Sequence, residues 1–283
     1  MMRSWLFVPG DSETKIAKAA GAGADVLILD LEDSVALARK DEARALVAAA
    51  LMGAREGPKI YVRINPLASG LALADLAGVM AAGPDGIVLP KTDSGADVER
   101  LGFFLDAFEA AFGVPAGRTK ILPIATETAA SVFMLGTYRG ARLVGMTWGA
   151  EDLPASVGAV AGRHEDGGLT DLCRLARALC VAGAAAAGVP AIETVYPDFR
   201  DADGLRAYAA AGRREGFLGM LAIHPGQVAV INEVMTPSEA ELAHARRVVA
   251  LFDENPGAGV ASLEGKMIDM PHLKQARRIL GLG

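Results

Sequence analysis

From its first residues to about residue 235 the chain alternates short apolar runs with longer amphipathic stretches. The runs are Ser4 to Val8, Val26 to Leu31, Ile60 to Ile64, Gly86 to Leu89, Ile121 to Ala125, Leu143 to Trp148, Ile192 to Tyr196 and Leu218 to Ile223. Short continuous apolar runs bounded by turn residues fit strands buried on both faces, and the segments between them are long enough for helical crossovers. No hairpin signal interrupts the alternation. Eight buried strands with helical connections predict an α/β chain folded as a (β/α)8 TIM barrel over residues 1–235. A doubly wound open sheet is the alternative architecture, but P-G-D-S-E-T after the first strand lacks the glycine-rich turn of a dinucleotide site.

Beyond the eighth run, Thr236-Pro237-Ser238-Glu239 combines a Thr cap, a first-turn Pro and a Glu at the third position, so a helix is predicted from there to about Glu254. Asn255 to Val260 is a Gly/Pro-rich connection, and the stretch E-G-K-M-I-D-M-P-H-L-K-Q-A-R-R-I-L-G predicts a loop and a last short helix. Residues 236–283 therefore form a C-terminal helical extension, surplus to the barrel, that packs on it or on a neighbouring subunit. Apolar Met267, Ile268 and Met270 in this extension need a covering surface, so a homo-oligomer is expected.

In a barrel of this kind functional residues collect at the C-terminal ends of the strands. There the sequence places Asp30, Glu32 and Asp33, then Arg63 and Asn65, Lys91, Glu127, Glu151 and Asp152, Asp198 and finally His224. Charges set into apolar runs are costly to bury unless paired, so this many at one rim imply a polar mouth. Taken singly, Lys91 and Asp30 read equally well as a salt bridge closing the barrel end. Two carboxylates carry more. I-L-P-I-A-T-E closes on Glu127 and L-V-G-M-T-W-G-A-E-D closes on Asp152, so acids beyond successive strands can face a common point. A hard divalent cation is held in this way, by one or two carboxylates with substrate oxygens and water completing the shell. The competing reading is that each acid caps the helix after its strand.

Composition narrows the partners. The 283 residues are 52% hydrophobic with a formal net charge of −6, and the basic residues are scattered, which argues against a nucleic-acid or anionic-membrane surface. Small acidic partners remain open if a local pocket is positive. Cys173 and Cys180 lack metal-ligand spacing and read as buried thiols in a reducing compartment. No apolar run reaches membrane-spanning length and the start M-M-R-S-W-L-F-V-P-G meets Pro and Gly too early for a signal peptide, so a cytoplasmic location is expected.

Several motifs, in order, resemble the citrate lyase beta-subunit and malyl-CoA lyase family of Mg2+-dependent carbon–carbon lyases, within the HpcH/HpaI aldolase superfamily. They are R-S-W-L-F-V-P-G at residues 3–10, L-D-L-E-D-S-V at 29–35, V-R-I-N at 62–65, V-L-P-K at 88–91, T-E-T at 126–128, W-G-A-E-D-L at 148–153, G-F-L-G-M-L-A-I-H-P-G-Q-V at 216–228 and G-K-M-I-D-M-P at 265–271. The resemblance implies Mg2+ bound by Glu127 and Asp152. It also implies that Arg63 contacts the substrate carbonyl or enolate oxygen, with Glu32 and Asp33 orienting Arg63 and the metal-bound waters. Glu127 would also border the substrate. Asp269, which by spacing alone reads equally as a helix cap, corresponds to a carboxylate that relatives deliver into the site of an adjacent subunit, in a trimer or hexamer. The implied reaction is retro-aldol or Claisen-type cleavage of a 3-hydroxyacyl-CoA such as citramalyl-, malyl- or citryl-CoA.

One departure bears on the thioester. Relatives commonly carry Arg shortly after the first-strand P-G, near the coenzyme A phosphates, whereas here Asp11 and Glu13 come first and the positive charges fall on Lys15 and Lys18. Lys binds phosphate as a point charge without the bidentate geometry of Arg. Malate-synthase-like condensation with thioester hydrolysis, an aldolase acting on a free hydroxy or keto acid, and a catalytically silent assembly subunit are the other readings. The loops around Leu67 to Leu73 and Ala155 to Gly168 suit glyoxylate, pyruvate or oxaloacetate alike.

Overall fold

The computed structural model describes residues 2–53 and 57–282. All eight apolar runs are strands: β1 (Ser4–Pro9), β2 (Val26–Asp30), β3 (Lys59–Arg63), β4 (Gly86–Leu89), β5 (Lys120–Pro123), β6 (Met146–Thr147), β7 (Ala191–Glu193) and β8 (Phe217–Ala222). They form one parallel sheet in the order β5-β4-β3-β2-β1-β8-β7-β6, and parallel bridges Ile121–Leu143 and Ile124–Thr147 join its two ends into a barrel. The chain divides into two compact units, Met1–Met235 and Thr236–Gly283. No described helix is long and apolar enough to cross a membrane.

Alternation along the strands sorts side chains into two buried layers. Trp5, Val26, Ile28, Tyr61, Val88, Leu122, Ile124, Ile192 and Leu221 pack together as the barrel interior. Their neighbours in sequence, among them Leu6, Leu27, Leu29, Val62 and Ile87, point the other way into the layer beneath the helices. Tyr61 occupies the room beside Gly86, where an added Cβ would lie 2.1 Å from its ring. Two residues beyond Tyr61 on the same face comes Arg63, and two beyond Ile28 comes Asp30. The inner face thus turns from apolar to charged in a single step at the barrel mouth.

The seam between β5 and β6 is the weakest part of the wall. The crossover there contains only one short α-helix, Ala129–Val132, and β6 has only two residues. Buried Glu109, near the end of the helix Gly95–Phe112, compensates from below. Its carboxylate accepts from the Gly117 and Thr119 amides, both at 2.8 Å, and from Arg142 Nη1 and Nη2 at 2.8 and 2.6 Å. The Arg142 carbonyl in turn accepts from Ile121 N of β5 at 2.8 Å. Burial alone would raise the Glu109 carboxyl, but Arg142 and these amides hold it down at about 2. Its stabilising contribution is therefore complete above about pH 4.5 and is lost as pH falls toward 2. Glu109→Ala is expected to cost about 1–3 kcal/mol in urea unfolding, because the Gly117 and Thr119 amides lose their acceptor while Arg142 keeps Asp106 and the Thr119 carbonyl.

The second unit departs from expectation in two places. The helix after the barrel runs Glu239–Asp253, with Ser238 rather than Thr236 as its N-cap and Glu241 completing the capping box. The predicted loop after Asn255 contains an antiparallel hairpin, β9 (Val260–Leu263) and β10 (Lys266–Asp269), ahead of the helix Met270–Ile279. Its two-residue turn, Glu264-Gly265, has positive φ at both positions, +54° and +76°, as a hairpin turn of this hand requires. Ile268 is buried against Val248, Phe252 and Leu273, whereas Met267 and Met270 remain exposed.

Candidate active site

β2 and β3 lie in register with Asp30 opposite Arg63. Arg63 Nε and Nη2 donate to the two oxygens of Asp30, both at 2.7 Å, a bidentate fork that fixes the guanidinium plane. Asp30 also accepts from the amides of Glu32 and Ser34 at 2.9 and 3.1 Å. Burial would raise the Asp30 carboxyl, yet Arg63 and these donors keep it below the usual carboxylate range. The third guanidinium nitrogen of Arg63, Nη1, lies 3.0 Å from Glu32 Oε2 and 3.9 Å from Asp33 Oδ2, and Phe7 stacks 4.8 Å beneath. The chief orienting partner of Arg63 is therefore Asp30, while exposed Asp33 stands at the margin.

Beneath the loop that carries Glu32, buried Lys40 donates from Nζ to the carbonyls of Leu31 and Glu32 at 2.6 and 2.8 Å and to Asn65 Oδ1 at 2.9 Å. Asn65 Nδ2 donates to Leu31 O and to Asp75 at 3.0 and 2.7 Å. Asn65 is thus a brace for the loop and does not face substrate. Burial pushes the Glu32 carboxyl up, against the pull of Arg63 and Lys91.

Lys91, just past β4, joins the two halves of the site. Its amide donates to Glu127 Oε2 at 2.5 Å, and its ammonium lies 2.5 Å from Glu32 Oε1, 3.3 Å from Asp33 Oδ2 and 3.4 Å from Asp152 Oδ1. Burial pushes the Glu127 carboxyl up to about 8, and the nearby charges of Asp152 and Glu32 add to that shift while Lys91 opposes it. Trp148 Nε1 donates to buried Glu193 at 2.6 Å, which anchors the end of β6 and the following turn. In that turn, a Cβ added at Gly149 would meet Glu127 Cγ at 2.9 Å, so only glycine lets the turn lie against the carboxylate stem.

Arg63, Asp30, Asp33, Glu127 and Asp152 line one cavity of about 480 Å3 at the C-terminal end of the barrel, with Trp148 as an apolar wall. Glu32 stands directly behind them. Lys15 and Lys18 are exposed on the helix Glu13–Ala19 and are not among the lining residues. Exposed His224 stacks on Phe199 with ring centroids 4.8 Å apart. Asp269 belongs to the second unit, at the N-cap position of Met270–Ile279, with His272 Nδ1 2.5 Å from its carboxylate. Sequence reading passed over Glu193, which sits inside an apolar strand, and Gly149, whose role depends on a contact made across the fold.

The donor set fits magnesium. Glu127 and Asp152 line the same cavity and both lie against Lys91, one at its amide and one at its ammonium, so they are the two carboxylates the barrel could offer to one ion. Mg2+ accepts few carboxylates and keeps its remaining positions for water and substrate oxygens. Burial, and after it the repulsion of Asp152 and Glu32, raises the Glu127 carboxyl, and a divalent cation beside it would favour the charged form again.

The HpcH/HpaI aldolase/citrate lyase family model matches residues 3–225. The citrate lyase subunit beta of Haemophilus influenzae is 35% identical over 99% of this chain and 96% of its own length. The mitochondrial citramalyl-CoA lyase of Rattus norvegicus is 36% identical over 99% of this chain and 85% of its own. Among solved structures, protein CitE of Mycobacterium tuberculosis in complex with magnesium, acetoacetate and coenzyme A superposes with a TM-score of 0.78, at 34% identity, covering 99% of this chain and 97% of that one. The chain therefore belongs to the HpcH/HpaI aldolase/citrate lyase family.

Gly149→Ala provides a local test of the geometry. Its methyl group crowds the buried Glu127 stem, so the melting temperature without Mg2+ should fall, and the rise on adding Mg2+ should shrink as well if Glu127 holds the ion.

Proposed function

We propose that the protein is a Mg2+-dependent carbon–carbon lyase that cleaves a 3-hydroxyacyl-CoA ester, of the citramalyl-, malyl- or citryl-CoA kind, to acetyl-CoA and a keto acid. The observation that carries the reading is the single cavity in which Arg63, locked by Asp30, faces Glu127 and Asp152. Glu127 and Asp152 would hold Mg2+, which supplies Lewis-acid polarisation of the keto-acid oxygens and a template for their orientation. Cleavage passes the hydroxyl proton to a carboxylate of the cavity, the hydroxyl oxygen becomes the keto-acid carbonyl as the carbon–carbon bond breaks, and the bonding electrons stay on the thioester half as an enolate that is then protonated at carbon. Arg63, preorganised and poorly solvated, stabilises the negative charge that grows on the enolate oxygen. Asp30 and Glu32 keep the guanidinium aimed at that oxygen, with no reorganisation during the reaction.

Asp269 is assigned the proton transfer at the carbon of the acetyl group, delivered from the second unit of a neighbouring copy in a homo-oligomer. The similarity of this chain to a citramalyl-CoA lyase and to a protein crystallised with coenzyme A supports the thioester carrier. The test is to incubate the purified protein with Mg2+ and a panel of 3-hydroxyacyl-CoA esters while following keto-acid release. Release from at least one ester, abolished by EDTA and restored by Mg2+, is expected. No release from any ester, together with cleavage of a free hydroxy acid, would overturn the thioester assignment.

A further inference from the structure

Lys91 has an unusual backbone. Its φ is +51°, in the left-handed region, and the other non-glycine residue with positive φ among the described residues is Glu264 in the hairpin turn. A long side chain there carries a steric cost, and such strain persists where the surroundings over-determine it. What it secures is a double contact: the amide meets Glu127 while the ammonium meets Asp152, Glu32 and Asp33. One residue thus touches both carboxylates assigned to the ion and both acids behind them. The cluster holds five carboxylates, Asp30, Glu32, Asp33, Glu127 and Asp152, against two cations in ion-pair contact with them, Arg63 and Lys91, with Lys40 farther off beneath the loop, and Arg63 is committed to Asp30 and Glu32.

Resting on the magnesium reading above, we propose that Lys91 is a positioning residue that serves as an internal counter-cation. It holds the carboxylates together while no divalent ion is bound and competes with the ion for Asp152, so it lowers the affinity for Mg2+. Asp152 is the contact that yields: its 3.4 Å distance is the longest of the three carboxylate contacts, and its side chain is partly open to solvent. The 2.5 Å contact with buried Glu32 remains when the ion enters. Opposite charge within this range favours the charged partner in poorly solvated surroundings, so removing the ammonium leaves the acids short of a neutralising charge that Mg2+ then provides.

The test is Lys91→Met, which keeps the stem and the backbone donor to Glu127 but removes the charge. Mg2+ binding is read by calorimetry, and thermal unfolding is measured with and without Mg2+. The expected result is a Kd for Mg2+ at least about tenfold lower than in the unsubstituted protein, a lower melting temperature without Mg2+, and a larger rise on adding it. An unchanged or higher Kd, or a melting temperature lowered equally with and without Mg2+, would overturn the proposal and leave Lys91 a structural residue. If Lys91→Met is insoluble, Lys91→Gln is read by the same measurements with the same two outcomes. Absence of Mg2+ binding by the unsubstituted protein would instead refute the magnesium reading itself.

Discussion

Glu127→Gln and Asp152→Asn are each expected to lower kcat about a thousandfold, since each removes one of the two carboxylates proposed to hold the ion that would polarise the substrate oxygens, an effect worth several kcal/mol. Neither change alters side-chain volume appreciably. Glu127→Gln removes the cost of burying a carboxylate and the repulsion from Asp152 and Glu32, so the variant without Mg2+ should melt no lower than the unsubstituted protein. Loss of activity with retained or increased stability separates a ligand from a structural acid. Keto-acid release and thermal unfolding, measured side by side with and without Mg2+, check this.

Arg63→Ala is expected to reduce kcat/KM about 10²- to 10³-fold through loss of the proposed fixed donor to the developing enolate oxygen. It also strands Asp30, which is 2% exposed and has Arg63 as its ion-pair partner, so stability falls as well. Asp30→Asn separates the two effects. It leaves Arg63 charged but loosens the fork, so kcat falls with smaller change in KM, because the oxygen proposed to meet the guanidinium gains negative charge only as the carbon–carbon bond breaks and not in the bound substrate. Arg63→Lys should not rescue, because an ammonium cannot form the two parallel bonds to Asp30.

The barrel was legible because its strands are buried on both faces and therefore appear as unbroken apolar runs, with charges confined to their ends. Glu127, Asp152 and Arg63 were marked by the same contrast. Asp30 was visible near the end of its run, but its partner emerges only from the register of two adjacent strands, which spacing along the chain does not encode. Lys91 looked like an ordinary rim salt bridge because sequence carries no record of a positive φ. The hairpin at 260–269 was missed because its strands lack an alternating apolar pattern: Val260 and Met267 face solvent and Ile268 alone is buried among the four residues of β10. The cap of the following helix was misplaced by two residues because Thr236 and Ser238 both offer a hydroxyl, and only the reach of Glu241 decides between them.

The proposed function depends on one divalent ion that Glu127, beyond β5, and Asp152, beyond β6, are proposed to hold. The direct measurement is a titration of the purified protein, and of its Glu127→Gln and Asp152→Asn variants, with Mn2+ in place of Mg2+, followed by the paramagnetic resonance of the free ion. One bound ion per chain in the unsubstituted protein, displaced by Mg2+, and none in either variant is the expected outcome. Equal binding by all three proteins would place the ion elsewhere and contradict the assignment of Glu127 and Asp152.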